Sequence, residues 1–214
     1  MNNQSLIGAA VAELNKKYQP HTIIVYGSRA RGDFTETSDL DIACFTDHSP
    51  KLTDARLWQG IYLDAWIYHT DSMAKNEQST LPLEYLRFAD GYCVQDQQGK
   101  GQVFLDQVKA RLAEGPKCLS ENEKAHTVEW IGKMLNRAAQ DDIEGNYRQV
   151  WLQFELLEIY FQLRDLWYFG PKKSFVWLQD NDPLAYQLFK AGYESPADSS
   201  KLKTLAAYII NNRN

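Results

Sequence analysis

The stretch TIIVYGSRARGDFTETSDLDIACF, residues 22–45, decides the fold of this chain. Its first residues, with His21, form the β-branched run HTIIVY, which predicts a buried strand. The segment from Gly27 to Gly32 predicts a turn that leads into a short helix. The apolar run from Leu40 to Phe45 predicts a second strand. A strand, a glycine turn and a second strand introduced by acidic residues therefore form the centre of the expected fold.

The regions on either side of this centre differ in character. Before Gly115-Pro116, short β-rich runs alternate with helical runs, including a predicted helix at 53–59 and a third strand at 61–68. Beyond it the periodicity is helical throughout. The sequence therefore predicts an α+β chain with a sheet-containing domain at 1–115 and an all-α bundle at 116–214.

Composition narrows the classes of protein to consider. The formal net charge is −5 and the pI is about 5.4, which disfavours a protein that coats nucleic acid through phosphate contacts. No apolar run approaches 18 residues, so we expect no membrane association. The first residues lack the features of a secretory signal, and the three scattered cysteines form no CxxC pair. We therefore expect a cytoplasmic protein.

Phosphate chemistry is indicated by the turn after the first strand. Gly27 allows the backbone to approach a ligand closely, and Ser28 stands where the strand turns into a helix. Arg29 and Arg31 add positive charge at the same point. The segment lacks the lysine of a Walker A loop, and a plain helix start is the alternative. One arginine could also pair with a nearby acid such as Asp33.

Metal chemistry is indicated by three aspartates. Asp39 and Asp41 are separated by one residue, so their side chains share a face if the second strand includes both. Asp64 interrupts the otherwise apolar third strand, where an unpaired carboxylate would be costly. Oxygen ligands of this kind suit Mg²⁺. The alternatives are an exposed Asp39 and an ion pair between Asp41 and one of the arginines.

The pattern Gly27-Ser28, Asp39-x-Asp41 and Asp64 resembles the nucleotidyltransferase domain of the DNA polymerase β superfamily. GSRARG and SDLDI are most similar to the minimal nucleotidyltransferases. The helical part resembles the bundles of aminoglycoside nucleotidyltransferases and of the HEPN group. This resemblance implies a mixed sheet with flanking helices.

The resemblance also implies an activity and a set of roles. Gly27 and Ser28 would hold the triphosphate of ATP or another nucleoside triphosphate. Asp39 and Asp41 would bind Mg²⁺, and Asp64 would bind a second metal ion or act as the base. The reaction would transfer a nucleoside monophosphate, AMP from ATP being the first choice, to a hydroxyl of a small molecule or protein and release pyrophosphate. The alternative is a non-catalytic nucleotide-binding module of regulatory or antitoxin type.

The acceptor is the least defined part of this hypothesis. A long helix predicted at 143–168 is apolar on most faces but carries a polar stripe that includes Glu155 and Glu158. These two are the candidate acceptor contacts, and a solvated face is the alternative. Asp47 and Asp54 are expected to be solvated. Because related enzymes pair, a homodimer is also a candidate assembly.

Overall fold

The computed structural model describes residues 2–48, 51–73, 81–140 and 142–213. The chain divides into two compact units, Met1–Glu114 and Gly115–Asn214. The first contains a sheet with helices and the second is helical, so the predicted α+β class is confirmed. Within the described ranges, none of the helices combines the length and the apolar character needed to cross a membrane.

The first unit is built on a five-stranded mixed sheet with the strand order β3-β4-β2-β1-β5. The β2–β4 pair is parallel and the other three pairs are antiparallel. Its elements are α1 Asn3–Tyr18, β1 Thr22–Tyr26, α2 Gly27–Arg31, β2 Leu40–Thr46, β3 Leu52–Trp58, β4 Ile61–His69, 3₁₀ helices at Thr70–Met73 and Leu83–Phe88, β5 Tyr92–Asp96 and α3 Lys100–Ala113.

The two faces of this sheet have different partners because side chains alternate along each strand. One face is aliphatic and forms a single core with α1, as shown by Leu6, Leu14, Ile23, Ile42 and Ala65. The other face carries the residues of opposite parity. These residues include Tyr26, Asp41, Asp64, Trp66 and Tyr68. Every predicted strand acid within β2 and β4 therefore lies on the face that α1 leaves uncovered.

The prediction of a helix at 53–59 is wrong, because Leu52–Trp58 is strand β3. It pairs with β4 in an antiparallel hairpin whose turn contains Gly60, with a φ of +86°. The expectation that Asp54 is solvated is also wrong. Asp54 is buried, and its carboxylate accepts hydrogen bonds from Lys17, Tyr18 and Arg56. Partners on α1 and β3 satisfy this charge, which the sequence could not show.

The second unit contains five helices in the part that the structure describes. They are α4 Glu121–Ala138, α5 Ile143–Gln162, α6 Pro171–Asn181, α7 Pro183–Glu194 and α8 Ser199–Asn211. Ser120 and Glu123 form a reciprocal capping box at the start of α4. The core of the unit is centred on α5, which contributes Leu152, Leu156 and Tyr160 among others.

Helix α5 is shorter than the sequence predicts. It ends at Gln162 instead of Tyr168, because the backbone turns back at Phe161, whose carbonyl accepts from the amides of Arg164 and Leu166. Asp165 has a φ of +53°, a conformation that no helix continues through. Its carboxylate accepts hydrogen bonds from the Leu119 amide and from Lys124. The Asp165 carboxylate therefore stabilises the start of α4.

Asp182 joins three helices of the second unit. It caps α7 by accepting a hydrogen bond from the Ala185 amide. It also accepts hydrogen bonds from the hydroxyls of Tyr160 on α5 and Tyr208 on α8. Despite partial burial, which acts in the opposite direction, these bonds lower the pKa of Asp182. One carboxylate therefore stabilises both a helix start and the packing between helices.

We predict that Asp182→Ala lowers the free energy of unfolding by about 2–3 kcal/mol, because a cap and two hydroxyl partners are lost together. Asp198→Ala is the matched control, since Asp198 caps α8 through Ser200 and the Lys201 amide, both in the first turn of the same helix. Chemical denaturation should show a clearly smaller loss for the control. Equal losses in the two variants would contradict the joining role of Asp182.

Candidate active site

Gly27 brings the backbone directly over the carboxylate of Asp41. It follows Tyr26, which lies opposite Asp41 in the β1–β2 pair, and it has a φ of +74°. A Cβ atom at this position would stand 2.1 Å from Oδ2 of Asp41. Only glycine fits this approach, because any side chain would both clash and strain the backbone. The predicted glycine turn and the predicted strand acid are therefore in contact.

Asp41 and Asp64 are side by side in the sheet. They are register partners in the parallel β2–β4 pair, so their side chains project from the same face. Burial, followed by the negative charges of Asp64 and Asp39, raises the pKa of Asp41 to about 6. Asp39 lies just before β2 and is exposed. The structure thus brings the three predicted acids into one electrostatic neighbourhood.

This neighbourhood fits a divalent cation only in part. Across the described residues, no three His, Cys, Asp or Glu side chains converge closely enough to form a complete ligand cluster. Mg²⁺ nevertheless commonly binds only one or two carboxylates of a protein, while water and substrate phosphate complete its coordination shell. Burial and the neighbouring acids raise the pKa of Asp41, and a cation bound here would lower it. The residues present therefore fit a cation that arrives together with a phosphate ligand.

Arg29 fixes the loop that leads to Asp39. It is buried, and its guanidinium donates hydrogen bonds to the carbonyls of Ser38 and Asp39 at 2.8–3.1 Å. A further bond at 3.3 Å reaches Asn3 on α1. These partners occupy the guanidinium, so the contacts give Arg29 a positioning role for the acidic loop. The predicted contact of Arg29 with nucleotide stays a prediction.

Arg31 and Ser28 are the remaining predicted site residues of α2. The Arg31 guanidinium pairs with Asp33 at 3.2 Å and with Asp90 at 3.4 Å, as the alternative interpretation of this arginine expected. Its positive charge also lowers the pKa of Asp41, so it lies within electrostatic range of that carboxylate. Ser28 is half-buried at the second position of the helix. Their roles toward a triphosphate stay predictions.

Arg87 is a cation of the site that the sequence interpretation missed. It lies in the 3₁₀ helix Leu83–Phe88 and donates a hydrogen bond to the hydroxyl of Tyr68. Its charge lowers the pKa of Asp41, although burial and the two other acids have the larger, opposite effect. No spacing rule connects Arg87 with the aspartates. The fold alone brings it to this face of the sheet.

Glu155 and Glu158 have local partners on α5. Glu155 accepts a hydrogen bond from the indole N–H of Trp151 at 3.1 Å. Glu158 accepts one from the side-chain amide of Gln162 at 2.9 Å. Both glutamates are half-buried. These bonds to residues four positions away are typical of a helix surface, and the predicted acceptor contacts stay a prediction.

Comparison with known proteins supports the same interpretation for the first unit. Residues 9–97 match the family model described as "Nucleotidyltransferase domain". This range includes Gly27, Asp41 and Asp64 but stops before Gly115–Asn214. None of the curated proteins compared with the chain matches it. Residues 9–97 therefore carry a nucleotidyltransferase domain, consistent with the DNA polymerase β-like superfamily, which supports nucleotidyl transfer as the general chemistry of this chain.

Proposed function

We propose that this chain transfers a nucleoside monophosphate, AMP from ATP as the first choice, to a hydroxyl of a small molecule or protein in a Mg²⁺-dependent reaction. The observation that carries the proposal is the Asp41–Asp64 pair, with Gly27 directly against the Asp41 carboxylate. A carboxylate pair alone would fit many cation sites. Gly27 brings the turn after β1 against the Asp41 carboxylate, so a phosphate chain bound at this turn would lie beside the cation.

In this proposal each protein group has a distinct role. Gly27 and Ser28 hold the triphosphate where the strand ends, while Asp39 and Asp41 bind the metal ion. Bound Mg²⁺ would neutralise phosphate charge and orient the α-phosphorus. The acceptor oxygen forms a bond to that phosphorus, and the bond to the bridging oxygen of pyrophosphate breaks. Asp64 either completes the metal site or accepts the proton that the hydroxyl loses.

The test is incubation with Mg²⁺, each labelled nucleoside triphosphate and a panel of hydroxyl acceptors, with pyrophosphate release and labelled product as readouts. We expect Asp41→Asn to abolish turnover and to weaken Mg²⁺-dependent nucleotide binding in calorimetry, because one ligand charge is lost. Asp47→Asn is the control, since this exposed acid follows the other end of β2 and accepts a hydrogen bond from Thr70.

Two outcomes would contradict the proposal. Nucleotide affinity that is unchanged by excess chelator would remove the metal ion from the site. Mg²⁺-dependent nucleotide binding without transfer to any acceptor in the panel would instead favour the regulatory module. An Asp47→Asn variant as inactive as Asp41→Asn would show that the loss is not specific to the proposed site.

A second prediction concerns the stability of the metal-free protein. Since the folded state raises the pKa of Asp41 to about 6, its ionisation costs stability above that pH. In chelator at pH 8, Asp41→Asn should therefore increase the free energy of unfolding by about 1 kcal/mol after allowance for solvent screening. This increase corresponds to a rise of roughly 3–5 °C in the unfolding midpoint. The gain should shrink as the pH falls from 6 toward the ordinary carboxyl value. A gain that grows on acidification would contradict the assignment.

A third prediction concerns the acceptor. We propose that the helical unit contributes acceptor contacts through Glu155 and Glu158, whose acidic oxygens are suited to orient a hydroxyl or an amine. Glu155→Gln and Glu158→Gln should leave the affinity for Mg²⁺·ATP at the wild-type value. Turnover of the acceptor should fall roughly 10- to 150-fold for each lost charge-assisted contact.

The control for this prediction is Glu144→Gln on the same helix, because Glu144 pairs with Arg148 at an exposed position. Steady-state kinetics with saturating nucleotide separates effects on the acceptor from effects on ATP. If both substitutions leave turnover unchanged, the two glutamates belong to the solvated face of α5.

A further inference from the structure

Two N–H donors on the site face of the sheet are buried without an acceptor. They are the indole Nε1 of Trp66 and the Nε of Arg87, neither of which has a hydrogen-bond partner among the residues that the structure describes. Leaving a buried donor unpaired is costly, so native proteins rarely do so without a functional reason. An unpaired donor pair in one place indicates a missing acceptor.

The two side chains are in contact. The guanidinium carbon of Arg87 lies 4.9 Å from the ring centroid of Trp66 and 5.6 Å from that of Tyr26. The Tyr68 hydroxyl accepts a hydrogen bond from a terminal nitrogen of Arg87. The Nζ atom of Lys51 lies 5.7 Å from the Trp66 ring as well. Two cationic side chains therefore lie against the same indole ring, and the Tyr68 hydroxyl holds that of Arg87 in place.

This donor pair lies beside the acids of the proposed active site. Trp66 follows Asp64 by two positions on β4, so both side chains leave the sheet on the same face. Tyr26, against which Arg87 packs, is the register partner of Asp41. The charge of Arg87 also reaches Asp41. The unpaired donors and the carboxylate pair therefore share one surface of the sheet.

The chemistry of the donors limits the ligand. A guanidinium and an indole N–H can only donate, so the missing group must be an acceptor. The positive charge of Arg87 favours an anionic oxygen, and its planar fork matches phosphate geometry. We propose that Trp66 and Arg87 form a phosphate-binding subsite, in which the indole N–H and the guanidinium donate to oxygens of one phosphate group.

The proposal rests on the proposed function for its placement, since a phosphate bound here would lie next to the cation that Asp39 and Asp41 bind. The phosphate could belong to the polyphosphate of the nucleotide or to a phosphorylated acceptor. Both sources present the same oxygens to the donors. The alternative is a purely structural role, in which Arg87 only packs its positive charge against the aromatic side chains around it.

The test compares two Trp→Phe variants that each lose one indole N–H. Trp66→Phe removes the unpaired donor, whereas Trp58→Phe removes a donor that is paired with Glu13 at 2.6 Å. Trp58 belongs to the core on the α1 side of the sheet. Arg87→Lys is the third variant, because it retains the charge but loses Nε and the planar fork.

The probes are magnesium pyrophosphate and Mg²⁺·ATP, titrated by calorimetry, with thermal unfolding measured in parallel. Trp66→Phe should weaken the binding of both about tenfold and lower the unfolding midpoint less than Trp58→Phe does, because the lost donor had no partner in the free protein. Trp58→Phe should lower the midpoint and leave both affinities unchanged. Arg87→Lys should weaken binding at least as much as Trp66→Phe.

A second titration distinguishes the source of the phosphate. Inorganic phosphate is added to protein already saturated with a non-hydrolysable ATP analogue and Mg²⁺. If pyrophosphate affinity depends on Trp66, the subsite binds the polyphosphate of the nucleotide. If instead inorganic phosphate binds the saturated protein and Trp66→Phe abolishes this binding, the subsite holds a phosphate of the acceptor.

The two proposals fail in distinguishable ways. Wild-type affinities for every probe in both Trp66→Phe and Arg87→Lys would overturn the subsite, and a wild-type protein that still transfers nucleotide would leave the proposed function standing. A wild-type protein that transfers nothing, but binds pyrophosphate in a Trp66-dependent manner, would overturn the function and support the subsite.

Discussion

The adjacency of two carboxylates, Asp41 and Asp64, is the constraint on which the first unit depends. Parallel pairing of β2 with β4 brings these like charges side by side, and partial burial prevents water from screening them fully. Two like charges held side by side in this way repel each other unless a positive charge neutralises them. Strain of this kind is typical of a site whose missing charge arrives with the ligand.

The surrounding elements position groups around this pair. Gly27 passes over Asp41 without a side chain, which lets the backbone at the end of β1 contact the carboxylate. Arg29 binds the carbonyls of Ser38 and Asp39 and so fixes the path of the acidic loop. Arg87 approaches from the 3₁₀ helix and contributes positive charge on the same side. Two parts of the chain, α2 and the 3₁₀ helix Leu83–Phe88, thus position groups around one carboxylate pair.

Local sequence predicted the parts of this arrangement that depend on short-range rules. The β-branched run before Gly27, the strand that includes Asp41 and the strand that includes Asp64 follow from periodicity and composition.

The features that the sequence did not reveal depend on contacts between distant segments. Strand β3 was predicted as a helix because its charged residues hide the pairing with β4, and buried Asp54 is stabilised mainly by Lys17 and Tyr18 on α1. Arg87 joins the site through tertiary packing alone. Prediction from sequence fails for charged groups whose partners lie tens of residues away along the chain.

The most direct test of the account is Mn²⁺ binding, measured by electron paramagnetic resonance with Mn²⁺ in place of Mg²⁺. Mn²⁺ takes the same hard oxygen ligands. The account predicts that the protein reduces the signal of free Mn²⁺, and that a non-hydrolysable ATP analogue strengthens this effect beyond what the analogue does alone. A free-ion signal that the protein leaves unchanged, with and without the analogue, would contradict a cation site at Asp41 and Asp64.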